Sequence, residues 1–369
     1  DALSSTFNVT IPRGALTPAS SLSVRLSVPR QGDVVAPGAS HPAAWPAERT
    51  QHPLAARADS GALRVVLVPL KYDYDDSGRL PDTSPARVAR YEALLRALFP
   101  STDVQISVHE PISWDQSLRF GNINQMLVQL KEDERADDDL YYYALVNPAD
   151  TFEEYCGRSC TTGQSFTTSN NADGVYRVGS GLGYATDDRL WTLAHELGHM
   201  HGRGHAPCDV SFWNADGDYP HGGGLVGVWG WDQRDGSLKD PDEIADMMGY
   251  CDDQWLSDYT YVGMFERSVR IAGRNALRTF AAPRAHRFLT IPAQGAPQWG
   301  RSIKLRGGHT GDEIEVRLLD AAGRLVGTLM LPRIPTGHDG AQELLVPQLS
   351  ARVISIEVAG RRISAAGGR

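Results

Sequence analysis

No stretch of the 369 residues approaches the roughly 18 to 20 consecutive apolar residues that a membrane-spanning helix needs, so the chain reads as soluble with no membrane span. Runs of Lys or Arg are missing too: 36 basic residues lie scattered among 45 acidic ones, for a formal net charge of −9. That balance disfavours nucleic acid and anionic membrane surfaces as partners. Cysteine is scarce, with only Cys156, Cys160, Cys208 and Cys251. Two close C-x-x-C pairs are absent, which speaks against a cysteine zinc site, and the even count suits two disulfides in an oxidising compartment. There is no internal repeat. The chain also lacks an initiator Met and an apolar leader before Asp1, the look of a processed secreted protein or a trimmed one. With 41% apolar and 22% charged residues, the composition is that of a globular protein able to bury a sizeable core.

What is present divides into three parts. Residues 1–60 open with two β-like segments, TFNVTIP and SSLSVRLSV, and continue as a Pro- and Ala-rich extended connection over 31–60. Residues 61–272 have α/β texture. RVVLVPL is an uninterrupted apolar run of strand length, as expected for a strand covered on both faces. TSPARVARYEALLRALFP predicts a helix with Ser84 as cap, Pro85 in the first turn, and Val88, Tyr91, Leu94, Leu95 and Leu98 on its apolar face. A strand at DVQISVHEPI, a helix over 117–133 and a strand at LYYYALV continue the rhythm of a layered sheet. Residues 273–369 hold short alternating segments (HRFLTIPA, SIKLRG, EIEVRLLD, LVGTLMLP, QELLVP, VISIEVAG) split by Gly, Pro and Asp, the pattern of a small β-sandwich.

The densest chemistry lies at 191–205, WTLAHELGHMHGRGH. A helix starting near Thr186 and running to about Gly202 projects His195 and His199 from one face, four residues apart, so both imidazoles can reach one ion. Glu196 sits one step round, off the metal but within reach of a water on it. Gly202 can leave the helix with positive φ and return the chain so that His205 becomes a third ligand. Three histidine ligands leave the fourth position of zinc to water, whose proton Glu196 is placed to take and later pass to a leaving amine. His201 falls off the ligand face and reads as a surface residue or one lying behind the ligands.

The string His195-Glu196-x-x-His199-x-x-Gly202-x-x-His205 resembles the long zinc motif of the metzincin metalloproteases. The resemblance is specific over about 185–270 and loose elsewhere. It implies an upper subdomain with a twisted sheet and the active-site helix, a horizontal cleft, and a lower subdomain with a helix near 256–270. It further implies a tight methionine turn under the metal, supplied by ADMMGYC at 245–251. Met248 is aligned with the turn methionine, Met247 being the alternative. Tyr250 then falls where several metzincins carry a tyrosine that binds zinc or the oxyanion. GVWGWD at 227–232 and WLSDYTYVGMFER look similar to bacterial secreted proteases that include the StcE-like mucinases. Ala206 after the third histidine departs from astacins and matrixins.

The implied activity is that of a secreted zinc endopeptidase acting on proteins or glycoproteins, with substrate paired along an edge strand near 174–184. Rival readings are a glycan-binding adhesin or module with a vestigial protease domain, and a zinc amidase on cell-wall peptides. Intact Glu196 weighs against a relic. A disulfide between Cys208 and Cys251 would tie two loops of the zinc site and Cys156 with Cys160 would close a small loop, although the sequence leaves the other pairings open. Asn214, Asp216 and Asp218 form a candidate calcium (Ca2+) loop. Asp73, Asp75 and Ser77 imitate the start of an EF-hand but lack the closing Glu, and so read as an acidic turn. Trp213, Trp229 and Trp231 read first as core residues, with stacking on a sugar or side chain as the alternative.

Overall fold

The computed structural model describes residues 9, 11–12, 15–25, 44–46, 50–57, 60–158, 160–168, 174–211, 214–272, 282–306, 311–338 and 340–368. It divides into two compact units, Asp1–Asp59 and Ser60–Arg369. In the first, Ser21–Leu22 pairs antiparallel with His52–Pro53, and Val24–Arg25 with Ala44–Trp45. Part of the stretch expected to be a plain connection therefore supplies partner strands, while the expected TFNVTIP strand lies largely outside the described residues.

The second unit is built on a mostly parallel sheet. Its strands are β1 (Ala62–Tyr72), β2 (Asp103–Val108), β3 (Ile112–Trp114), β4 (Leu140–Val146), β5 (Gly163–Ser165) and β6 (Val178–Leu182). They lie in the order β2-β1-β4-β6-β5, with β3 beside the end of β1; only β5 runs antiparallel to its neighbour. Side chains of β1 alternate between two hydrophobic clusters, as the pleat requires: Leu63, Val65 and Leu67 on one face, Val66, Val68 and Leu70 on the other. Both faces are covered, as the unbroken apolar run predicts.

On the first face pack α1 (Pro85–Leu98) and α4 (Asp188–Met200), leaving α2 (Phe120–Glu134) to the second face and the short α3 (Phe152–Cys156) to the loop after β4. Ser84 accepts the amide of Arg87 and Pro85 fills the first turn of α1. Tyr91, Leu94, Leu95 and Leu98 are its buried stripe, each apolar side chain contributing about 1.5–3 kcal/mol on burial. A fifth helix, α5 (Asp258–Ile271), starts on a Ser257 cap and seats Met264 in the same cluster.

The C-terminal strands are β7 (Arg284–Ile291), β8 (Gln298–Leu305), β9 (Glu313–Leu319), β10 (Leu325–Pro335), β11 (Gln342–Pro347), β12 (Ser355–Val358) and β13 (Arg361–Ser364). The six expected segments are present, with β13 added. They do not form the two separate sheets of a sandwich. They make one antiparallel sheet in the order β8-β7-β11-β10-β9-β12-β13, curled into a half-barrel. The reason is β10: its first part pairs with β9 and its last residues, Arg333–Pro335, pair with β11, so one strand belongs to both halves. Phe288, Ile303, Leu305, Ile334 and Leu345 of the half-barrel join Phe120, Ile123 and Leu127 of α2 in one hydrophobic cluster. Arg306 adds an ion pair to Glu132 at 2.8 Å, so α2 is held between the two sheets.

Candidate metal centre

Helix α4 positions the first two histidines. Its buried stripe, with Leu193, Leu197 and Met200 fully covered, presses it against the sheet and turns His195 and His199 toward the opposite side. The helix ends in a closed turn. Arg203 N donates to Gly198 O at 3.0 Å and Gly202 N to His199 O at 2.7 Å, with Gly202 at φ +81°. That left-handed residue reverses the chain and brings His205 back to α4. The His199 and His205 Nε2 atoms are then 3.1 Å apart, and the ring centres of His195 lie 4.8 Å and 5.3 Å from those of His199 and His205. All three histidines are buried.

The outer nitrogens are fixed by main-chain carbonyls. His195 Nδ1 bonds Met247 O and His199 Nδ1 bonds Arg203 O, each at 2.7 Å. This leaves Nε2 of each ring for the centre, and Nε2 of His195 is buried there with no hydrogen-bond partner. Burial pushes all three imidazoles below their ordinary range, His205 down to about 3, so they are neutral near pH 7. Neutral, convergent imidazoles with an orphaned ring nitrogen are the donor set that zinc takes. The expected metal ligands thus converge, and the residues fit the ion.

Glu196 is 1% exposed. Ser165 on β5 donates to its Oε2 at 2.7 Å. Burial alone would raise this carboxyl, but His338 and the hydrogen bonds from His338 and Ser165 outweigh it and keep Glu196 ionised. Beneath the histidines, the turn at 245–251 brings both methionines into the core, with Met248 Sδ against Gly198 of α4. Tyr250 reaches His205 Nε2 with its hydroxyl at 3.0 Å, and its amide donates to Cys208 O at 2.8 Å. Disulfides join Cys208 to Cys251 and Cys156 to Cys160, the first tying the loop after His205 to the end of the methionine turn. They fit an oxidising, extracellular location. Among the described residues no helix is long and apolar enough to cross a membrane.

The largest departure from the sequence reading is His338. It sits between β10 and β11 and enters the cluster with His195, His199 and His205, one ring nitrogen from each of the four lying within 4.8 Å of the others. Its Nε2 is 2.6 Å from Glu196 Oε1 and its Nδ1 2.7 Å from the Tyr250 hydroxyl. No local spacing announced it; it is one of 11 histidines, in a Gly-flanked turn far from the helix motif. Ser165 was equally silent. His201, expected at the surface or behind the ligands, is buried and stacked on Tyr141 at 4.7 Å.

The segment expected to offer an edge strand does not. β6 is flanked by β4 and β5, and β5 is the sheet edge. Of the candidate calcium residues, Asn214 donates to His338 O, while Asp216 accepts from Tyr259 and faces Arg203, so these groups are engaged elsewhere. Asp73 and Asp75 pair with Lys71 and Arg79 in the expected acidic turn. Trp229 and Trp231 are 61% and 48% exposed, against the core reading, and Trp213 lies outside the described residues.

No protein family matches the chain and no curated protein matches it. Among solved structures it is similar to a chain in "Structure of a chaperone-substrate complex", at 12% identity and a TM-score of 0.31, over 58% of this chain and 35% of that one. The chain thus spans about a third of that structure's length, and a likeness this slight carries no argument. What stands is a mixed α/β protein with a buried histidine cluster able to hold a metal ion such as zinc.

Proposed function

We propose that the protein is a secreted zinc endopeptidase of the metzincin kind, acting on proteins or glycoproteins. The observation that carries this reading is the convergence of His195, His199 and His205 with the Glu196 carboxylate beside them, fixed by Ser165. His195, His199 and His205 would hold the zinc, which when bound would supply a Lewis acid for a substrate carbonyl and lower the pKa of water toward neutral. The chain's own residues do the rest. Glu196 takes a proton from the attacking water and returns it to the leaving amine, and Ser165 keeps the carboxylate oriented through its second oxygen. The carbonyls of Met247 and Arg203 hold His195 and His199 in the tautomer that donates from Nε2. Tyr250 donates a hydrogen bond to the carbonyl oxygen as negative charge develops there. Met248 forms the apolar floor that sets the height of α4.

Intact Glu196 in this arrangement weighs against a binding module with a vestigial protease. The test is mass spectrometry of products from mixed proteins, O-glycosylated ones included, with and without chelator, for the parent and Glu196→Ala. The variant is expected to keep about one zinc per chain and lose roughly 10²- to 10⁴-fold in rate. Cleavage by Glu196→Ala at the parental rate, or cleavage of small acylated amino acids with no polypeptide cut, overturns the reading.

A further inference from the structure

The β10–β11 hairpin has an unusual place. Thr336 N and Oγ1 both bond Ala341 O at its base, at 3.1 Å and 3.0 Å, closing a short tip. The strand below the tip adds to the free edge of β5: Thr167 N donates to Pro335 O at 2.9 Å and Gly337 N to Ser165 O at 2.8 Å. This pairing lies beside Glu196, since Ser165 bonds both. The tip also approaches the centre as closely as backbone can, because a Cβ on Gly337 would stand 2.5 Å from His199 Cδ2. Only glycine fits there.

His338 is the residue this geometry delivers. Its ring centre is 5.4 Å, 5.4 Å and 5.3 Å from those of His195, His199 and His205, an almost equal distance from all three. A histidine that merely cements an interface between two sheets has no reason to stand over the midpoint of three buried imidazoles. Its ring lies between the Glu196 carboxylate and the Tyr250 phenol, which is where a scissile carbonyl would have to enter.

We infer that His338 is a fourth imidazole donor to the same metal ion, so that the resting centre is a closed four-histidine site and substrate gains access only when Gly337 and His338 withdraw. The inference rests on the proposed peptidase reading and adds its regulation. An ion in the cluster takes one His338 nitrogen and so releases either Glu196 or Tyr250 from it. The β5 edge is covered by the same tip, so metal position and strand-pairing groups are freed together. The body of the hairpin need not move: Ile334 and Leu345 remain in the core shared with α2, and Gly337 stands directly before His338.

The test uses the full chain loaded with zinc or cobalt(II). X-ray absorption of the zinc-loaded parent is expected to count four imidazoles; three imidazoles and an oxygen overturn the inference without any variant being made. In His338→Ala, zinc competition against a chromophoric chelator should weaken by at least about 10-fold, since even partners outside the ligand set cost that much. The cobalt absorption should fall toward that of a more solvated site, and hydrolysis of a short peptide should rise above the parent's. Unchanged affinity and cobalt spectrum in His338→Ala, with Glu196-dependent hydrolysis intact, overturn the fourth donor and leave the peptidase reading standing. A parent that binds no metal overturns both.

Discussion

A glycine near the end of an exposed helix is normally improved by alanine, by about 1 kcal/mol, because the methyl restricts the unfolded chain and suits the helix. Gly198 should behave in the opposite sense. A Cβ built there would lie 2.3 Å from Met248 Sδ and 3.2 Å from its Cε, with Met247 Cε at 3.5 Å. Comfortable carbon contacts begin near 3.5 Å. Either the methionine turn sinks or α4 lifts by about an ångström, and overpacking of that size in a filled core costs about 1–3 kcal/mol. Taking the upper part of that range less the helix gain, Gly198→Ala should destabilise by about 2 kcal/mol. Met248→Ala alone should cost about 2–5 kcal/mol through the cavity it leaves. With that space open, Gly198→Ala should recover its ordinary gain of about 1 kcal/mol, a coupling near 3 kcal/mol. Urea unfolding followed by tryptophan fluorescence, in chelator and again with zinc, measures all four corners of the cycle. A raised midpoint for Gly198→Ala in the parental background, or coupling within about 0.5 kcal/mol of zero, would refute the close packing of helix on turn.

Other perturbations separate the remaining parts. Cys208→Ser/Cys251→Ser opens a link spanning 43 positions and should lose about 4 kcal/mol by loop entropy, against about 2 kcal/mol for Cys156→Ser/Cys160→Ser; equal losses in denaturant unfolding would contradict this. Tyr250→Phe keeps the main-chain bond to Cys208, so zinc content and melting should hold while kcat falls about 10²- to 10³-fold and KM changes little; parental kcat refutes the oxyanion role. Lys131 is fully enclosed and donates to Leu140 O and Gly174 O, and burial, then Arg177, holds its amine well below 10.5. Between that folded value and about 10.4, unfolding therefore takes up a proton, so stability should rise with pH across that interval and fall as pH drops toward the folded value. Lys131→Met, although less stable for losing two hydrogen bonds, should show a flatter rise over that window.

How much of this was legible in sequence follows from the range of each interaction. The positions of His195, Glu196 and His199 depend on a rise and turn per residue that any α-helix shares, and the return of His205 on a glycine that can take φ +81°. The Ser84 cap, the apolar stripe of α1, the doubly covered β1 and the six C-terminal segments are equally local, and periodicity announces them. The cysteine count allowed two bridges, whereas which pairs form depends on where the loops after His205 and after the methionine turn meet.

The rest was decided by contacts between segments far apart in the chain. Ser165 reaches Glu196 because β5 is laid antiparallel along β6, and nothing within β5 itself encodes its partner. His338 reaches the centre because α2 is clamped between two sheets, which sets the half-barrel at the distance where its hairpin tip meets α4. β10 is long enough to serve both halves of the C-terminal sheet, which turned the expected sandwich into a half-barrel. Sequence therefore determined the three-histidine helix and turn, because backbone geometry fixes spacing within one element. Tertiary structure decided the fourth histidine and the covering of the β5 edge, because the register of one packed layer against another depends on side-chain volumes throughout the core.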